Sequence, residues 1–375
     1  MRIAVNTRFL IKNKLEGIGW FTYETLKRIT RWHPEHEFIF LFDRAYDPEF
    51  IFASNIKPIV LRPQSRHPVL WYIWFEHSVR KYIERNDVDL FLSPDGYLSL
   101  KTSIPQVAVI HDINFYHFPN TLPLFARWYY NHFFPKFALK SNRLATVSLF
   151  SKNDIVKSYG INPDNIDVTY NGANELYSPL TSEEIENTRK LITDGKPYFI
   201  FVGAFNPRKN LIRLLQAYEL FKKATRSDIK LVIVGDKMYG TSSMMRALKR
   251  MSFKNEVVFT GRLQVDRLRL VVGSALAMSY VSYYEGFGIP LLEAMNCDIP
   301  IVASHCTSIP EVVGDAAFYV DPFDVNSIAD GLIRLCNDEE LRNKLILNAR
   351  KQRDKFSWDK SAQLLFDCIM KAMDK

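Results

Sequence analysis

Ala277-Met278-Ser279-Tyr280-Val281-Ser282-Tyr283-Tyr284-Glu285-Gly286-Phe287-Gly288-Ile289-Pro290-Leu291-Leu292-Glu293 is the stretch on which the fold turns. Its first five residues read as a buried strand, bounded by a loop. Gly286 and Gly288 lack a Cβ and let backbone approach a ligand closely. Pro290 suits the first turn of a helix, so the stretch predicts strand, glycine turn, helix. A helix start offers free N–H groups and a partial positive charge, suited to phosphate or hydroxyl groups. Glu285 falls in the loop and Glu293 about one turn into the helix. Two such carboxylates suit the vicinal hydroxyls of a sugar and a ribose. A strand–turn–helix with a solvated Glu at each end has the same spacing.

The same alternation extends both ways from this stretch. Downstream of 197, apolar runs at Tyr198–Val202, Lys230–Val234, Val257–Thr260, Ile299–Ala303 and Ala317–Val320 predict further strands, with amphipathic helical patterns between them. An earlier series has runs at Arg2–Asn6, Glu37–Phe42, Pro58–Leu61, Leu90–Leu92, Gln106–Ile110, Leu144–Val147 and Asp167–Tyr170. Continuous apolar strands separated by helices indicate parallel sheets covered on both faces. Two series predict two doubly wound, Rossmann-like α/β domains, with ligands expected at the carboxyl edges of the strands. The 375 residues fit two domains at about 150 residues each. Pro179 is followed by a charged helix, from Ser182-Glu183-Glu184 onward, and then by Asp194-Gly195-Lys196-Pro197, which is linker composition. The domains are therefore expected over 1–178 and 195–356, with the last helix, 357–375, packing back on the first.

Composition removes several classes. Hydrophobic residues make up 47% and charged residues 24%, ordinary values for a globular chain. The four cysteines, Cys297, Cys306, Cys336 and Cys368, have neither disulfide-scaffold density nor zinc-site spacing, so buried free thiols are expected. No apolar run reaches the ~18 residues of a membrane span. The first apolar stretch, Ile3-Ala4-Val5, is too short for a signal-peptide core, which predicts a cytoplasmic protein. Lys and Arg number 49 against 41 acidic residues, a net charge of +8, but no basic run or recognition motif supports nucleic-acid binding.

Three more constellations stand at predicted strand ends. Gly203-Ala204-Phe205-Asn206-Pro207-Arg208-Lys209-Asn210 again follows a strand and opens a helix. Arg208 and Lys209 in a first turn oppose the helix dipole, which calls for an anion nearby. A forked donor beside a point charge suits a diphosphate, and a solvated basic cap is the plainer alternative. Glu16-Gly17-Ile18-Gly19-Trp20 is a lone G-x-G, with Thr22 where a dinucleotide fingerprint has its third glycine; a flexible loop entering a helix explains it equally. His111-Asp112 ends the strand Gln106–Ile110, where the imidazole can orient a hydroxyl or relay a proton, or simply serve structure.

Taken together, these segments resemble the family 4 retaining glycosyltransferases, over nearly the whole chain. Glu285–Glu293 is similar to the family's E-x7-E element, and Pro207-Arg208-Lys209-Asn210 to its phosphate-binding segment. Ile309–Ala316, Val109-Ile110-His111-Asp112, Ser151–Ile155, Tyr170-Asn171-Gly172 and Phe356-Ser357-Trp358 resemble further segments, in the same order. The resemblance implies a GT-B fold, two such domains facing across a cleft. It implies that Glu285, Gly286 and the amides of Phe287 and Gly288 hold the donor sugar, and that Glu293 holds the ribose. Arg208 and Lys209 would hold the diphosphate, Gly17 and Gly19 would close over it, and His111 would face the reacting sugar. Two departures stand out: Ala204 where many relatives have Arg, and Asp298 where they usually have Gly, a position at which Asp in a tight turn can adopt positive φ at some cost.

The reaction implied is hexose transfer, with retention, from a GDP- or UDP-linked sugar to a hydroxyl of a glycan or lipid-linked acceptor, as in cell-surface polysaccharide or glycolipid synthesis. GDP-mannose is favoured by overall similarity to mannosyltransferases. No cofactor and no metal are expected: the D-x-D at Asp87-Val88-Asp89 precedes its strand and so lies at the wrong edge. An epimerase of the same architecture, or a non-catalytic sugar-binding relative, are the alternatives. Two aromatic-basic helices, around Trp71–Phe75 with Arg80-Lys81 and around Arg127–Lys136, suit either peripheral contact with an anionic membrane or plain packing over a sheet.

Overall fold

Thirteen parallel strands form two separate sheets in the computed structural model, which describes residues 1–236 and 242–374. The chain divides into two units, one of Met1–Gly172 with Ser357–Lys375 and one of Ala173–Phe356. Residues 237–241 and Lys375 lie outside the described residues.

The first unit holds β1 (Arg2–Asn6), β2 (Glu37–Phe42), β3 (Ile56–Val60), β4 (Leu90–Ser93), β5 (Gln106–Val109), β6 (Arg143–Thr146) and β7 (Ile166–Val168). Their order is β3-β2-β1-β4-β5-β6-β7. The strand order reverses between β1 and β4, where Ala4 is in register with Ile39 on one side and Phe91 on the other. Five of the six residues of β2 are buried, as an apolar strand covered on both faces requires. The helix Gly17–Trp32 buries Phe21, Leu26 and Ile29. Against it lies the last helix, Trp358–Met373, which buries Trp358, Leu365, Phe366 and Ile369. Ser357 caps that helix by accepting from the Lys360 N–H. A Cβ on Gly172 would stand 2.5 Å from the Trp358 nitrogen, so glycine is required where the chain's two passes through this unit meet. Arg28 pairs with Asp359, and Lys371 reaches Asp167 at 2.8 Å. The helical run from Pro68 to Arg85 contains a π turn over Trp74–Val79. That turn holds the buried Glu76, which accepts from the Leu100 N–H at 2.7 Å and the Ser99 hydroxyl at 2.8 Å.

The second unit holds β8 (Tyr198–Val202), β9 (Lys230–Val234), β10 (Val257–Gly261), β11 (Ala277–Tyr280), β12 (Ile301–Ser304) and β13 (Ala317–Val320). Their order is β10-β9-β8-β11-β12-β13, with the reversal between β8 and β11. Phe199, Phe201, Leu214, Tyr218 and Phe221 fill its core beneath the helix Leu211–Thr225. Asp298 adopts φ 56°, the conformation a glycine would take, and pairs with Arg350 at 2.6 Å and Arg353 at 3.1 Å. Those two ion pairs hold the Asp298 carboxylate in place at the left-handed turn.

The stretch read as a linker is part of the second unit. Ser182–Thr193 is a helix opened by a capping box, Thr181 and Glu184 bonding reciprocally. Leu180 packs where a Cβ on Gly273 would lie, and Arg189 Nε donates to the Ser274 carbonyl at 2.9 Å. Its charges mark the solvated face of a docked helix. Residues 173–178, expected in the first domain, pack with the second unit as well. The cysteines are free thiols; Cys297 and Cys368 are buried as expected, whereas Cys306 and Cys336 are partly exposed.

Candidate active site

The site of the second unit assembles at its strand reversal, where an open α/β sheet leaves a crevice between diverging connections. From the end of β8 the chain passes Gly203 and makes a tight turn, Pro207–Lys209. The side chain of Asn206 caps it by accepting from the Arg208 N–H at 3.1 Å. The long helix starts only at Leu211, because Asn210 breaks the path at φ 61°. Arg208 and Lys209 thus sit in a turn of their own rather than in the first turn of that helix. Their countercharge comes from a side chain, not from the helix. The amide of the buried Asn210 donates to the carbonyls of Val281, at 3.0 Å, and Pro322, at 2.6 Å. It ties the basic turn to the end of β11.

From β11 the chain runs through Tyr283 to the glycine loop. The Tyr283 N–H donates to the Arg208 carbonyl at 3.0 Å. Glu285, 5% exposed, lies between the two cations: Arg208 Nη1 to one carboxylate oxygen at 2.7 Å, Lys209 Nζ to the other at 2.6 Å. Burial opposes ionisation of Glu285, but the charges of Arg208 and Lys209 outweigh it and hold the carboxyl down at about 2. Lys209 Nζ also donates to the buried Tyr280 hydroxyl at 3.1 Å. The Ser308 hydroxyl reaches the carbonyls of Glu285, at 3.0 Å, and Phe287, at 3.1 Å, and the Thr307 hydroxyl accepts from the Glu285 N–H. Gly288 stands at φ 105° at the start of the helix Ile289–Asn296, a conformation for which glycine is suited.

Glu293 lies within that helix and is partly buried. Burial pushes its carboxyl up to about 7, and the hydroxyl of Tyr177 pulls it back. A carboxyl raised in the folded protein keeps its proton there. The stability that Glu293 contributes is therefore fully present below the ordinary carboxylate range, is lost as pH climbs from there, and levels above about 7. Glu293→Gln removes this loss: melting curves should show the variant gaining on the parent between pH 5 and pH 8.

The remaining expected residues belong to the first unit. Gly17 begins the helix Gly17–Trp32 with open space where a Cβ would stand; a Cβ on Gly19 would come within 3.1 Å of the Phe9 carbonyl. His111 follows β5. Its Nε2 lies 2.9 Å from the Pro94 carbonyl, which can only accept, so Nε2 carries a proton and Nδ1 is an acceptor in the neutral ring. Burial lowers the pKa of His111 below its ordinary value, and Phe21 meets the ring edge-on at 5.0 Å. Asp89 accepts from the Arg2 N–H at the amino end of β1, the edge opposite Asn6.

A second buried cluster went unseen in the sequence. At the reversal between β1 and β4, Arg8 pairs with Asp95 at 2.6 Å, the two side chains only 5% and 2% exposed. Asn6 donates to the same carboxylate at 2.7 Å, and the guanidinium stacks over Tyr97 at 4.1 Å. Among the described residues, His33, Glu35 and His36 bring three donor atoms within 4.8 Å; Phe366 stacks on His33.

Comparison with known proteins bears on both units. Residues 182–352 match the family model "Glycosyl transferases group 1", and residues 15–175 match "Glycosyltransferase Family 4". The chain is 30% identical over 361 residues to O-antigen chain mannosyltransferase B of Escherichia coli, covering 93% of this chain and 94% of that one. It is 28% identical over 277 residues to O-antigen chain mannosyltransferase RfbU of Salmonella typhimurium, covering 73% of each. Among solved structures, Anabaena Alr3699/HepE, crystallised with UDP and glucose, superposes with a TM-score of 0.73 at 16% identity, over 99% of each chain. With both sheets built as GT-B domains are, and both halves matched, the chain belongs to the family 4 glycosyltransferases.

Proposed function

We propose that this glycosyltransferase moves a hexose, mannose before glucose, from a nucleoside-diphosphate sugar to a hydroxyl of a glycan or lipid-linked acceptor in cell-surface polysaccharide synthesis. The observation that carries the reading is the Arg208–Glu285–Lys209 cluster at the strand reversal. Mannose is favoured because the O-antigen enzyme of Escherichia coli, similar along the whole chain, is a mannosyltransferase.

In this mechanism negative charge grows on the leaving diphosphate as the glycosidic bond breaks. Lys209 and Arg208 stabilise it from fixed positions, without a metal. Glu285 has both carboxylate oxygens engaged and its pKa held at about 2, which suits a group that orients sugar hydroxyls rather than one that shuttles protons. Retention follows from departure and attack on the same face, the leaving phosphate taking the acceptor proton. Neutral His111, with Nδ1 as acceptor, orients a hydroxyl of the acceptor. Glu293 accepts from the ribose hydroxyls.

A thermal-shift series against GDP, UDP and their sugars tests donor choice, since a bound ligand at 100 times its Kd adds about 2.7 kcal/mol. GDP and GDP-mannose should raise Tm most, and EDTA should leave turnover unchanged. A larger shift with UDP would move the donor to a UDP sugar, and loss of activity with EDTA would overturn metal independence.

A further inference from the structure

The buried pair of Arg8 and Asp95 is one link in a longer chain of polar side chains along the carboxyl edge of the first unit's sheet. Asp43 follows β2 and accepts from the Ser65 N–H at 2.9 Å and the Ser65 hydroxyl at 2.7 Å. Arg8, just beyond β1, donates to the Ser65 oxygen through Nη1 at 3.4 Å and to Asp95, beyond β4, through Nε at 2.6 Å. Asp95 also accepts from the Asn6 amide at 2.7 Å and from the Ser93 hydroxyl at 3.0 Å. All of these residues are buried. Stability does not explain such an arrangement. A buried ion pair is often no more stabilising than apolar side chains of the same volume, because both charges leave water. What hydrogen bonds add to apolar packing is direction.

The direction that this chain fixes is that of one carbonyl. Ser93-Pro94-Asp95-Gly96 is a tight turn, closed by the Gly96 N–H donating to the Ser93 carbonyl at 3.2 Å. Gly96 takes φ 84°, and a Cβ there would stand 3.0 Å from the Phe134 ring and 3.2 Å from Ile110, so the turn presses against the end of β5. The Pro94 carbonyl and the Asp95 N–H belong to one planar peptide unit, so anchoring the Asp95 side chain restricts rotation of that carbonyl. The proline ring stiffens the turn from the other side. This is the carbonyl that lies 2.9 Å from His111 Nε2. The Ser151 hydroxyl donates to the His111 carbonyl at 3.0 Å, so the backbone of His111 is held as well as its ring.

We propose that Asp95, held by Arg8 and Asn6, is a positioning residue for His111: through the Pro94 carbonyl it keeps the ring proton on Nε2 and leaves Nδ1 to accept from the reacting hydroxyl. This rests on the role given to His111 above and adds the residues that set its tautomer. Nitrogen NMR of the imidazoles reports the tautomer whether or not the enzyme turns over. Spectra are taken on the full chain above the ordinary histidine range, where the ring is neutral, with His111→Gln identifying its signals. The parent should show the Nε2-protonated tautomer alone. In Arg8→Met with Asp95→Leu, and in Asn6→Ser, which leaves the ion pair in place, both tautomers should populate and the two nitrogen signals should move toward each other. kcat should fall by up to about 100-fold, the cost of a misplacement of about 1 Å, with KM for the donor unchanged. An unchanged tautomer in both variants would overturn the proposal, whether or not kcat falls. Mixed tautomers with unchanged kcat would uphold the positioning of the ring and remove His111 from the reaction instead.

Discussion

Replacing Lys209 by Ala is expected to lower kcat/KM by about 10²–10³, the usual cost of removing one preorganised electrostatic donor. The loss should fall mainly on kcat. Lys209 Nζ, held by the Tyr280 hydroxyl and the Glu285 carboxylate, is positioned before any donor arrives. Its charge is therefore worth most when the diphosphate gains charge in the transition state. Steady-state kinetics against a saturating acceptor check this. A rise confined to KM would mean that Lys209 binds ground and transition states alike, and near-normal turnover would remove it from the reaction. The substitution also leaves Glu285 with Arg208 alone, so its carboxyl should rise from about 2.

The second large effect concerns stability. Asp95→Ala should destabilise the first unit by about 3–5 kcal/mol, because it strands the Arg8 guanidinium without its countercharge in a buried site. At about 2–4 °C per kcal/mol for a unit of this size, calorimetry would show a large fall in Tm. The neutralised pair, Arg8→Met with Asp95→Leu, should cost much less, since removing both charges removes the desolvation penalty with the attraction. Equal losses in the single and double variants would show that the apolar stacking of Arg8 on Tyr97 matters more than the ion pair.

Much of the fold was legible because its signal is local. All thirteen strands lie where continuous apolar runs predict them, and edges moved by at most two residues; β3, for example, spans Ile56–Val60 against an expected Pro58–Leu61. Burial on both faces of a parallel sheet writes itself into a strand residue by residue. The helix at Ser182–Thr193 is legible as a charged helix, but its place in the second unit rather than between the domains is not, for the converse reason. Its apolar contacts are few, and composition registers its solvated face more strongly than the face docked on Gly273 and Ser274.

The candidate site divides in the same way. The residues of Glu285–Glu293 and Pro207–Asn210 could be singled out because each set lies in one turn, where glycine, proline and charge have local meaning. The groups that fix those turns could not. Ser308 holds the glycine loop from 21 and 23 positions away, and Asn210 reaches Val281 and Pro322 across 71 and 112. Arg8 and Asp95, 87 apart, meet only because β1 and β4 are neighbours in the sheet.

The sequence by itself determined the alternation of strands and helices, the two series, and the turns carrying Arg208, Lys209 and Glu285. These follow from side-chain size and backbone freedom within a few residues. Tertiary structure alone decided that Glu285 is the partner of both cations and that Tyr177 belongs beside Glu293. Such pairings depend on strand order. Order is set by how whole faces bury together, which no single segment encodes.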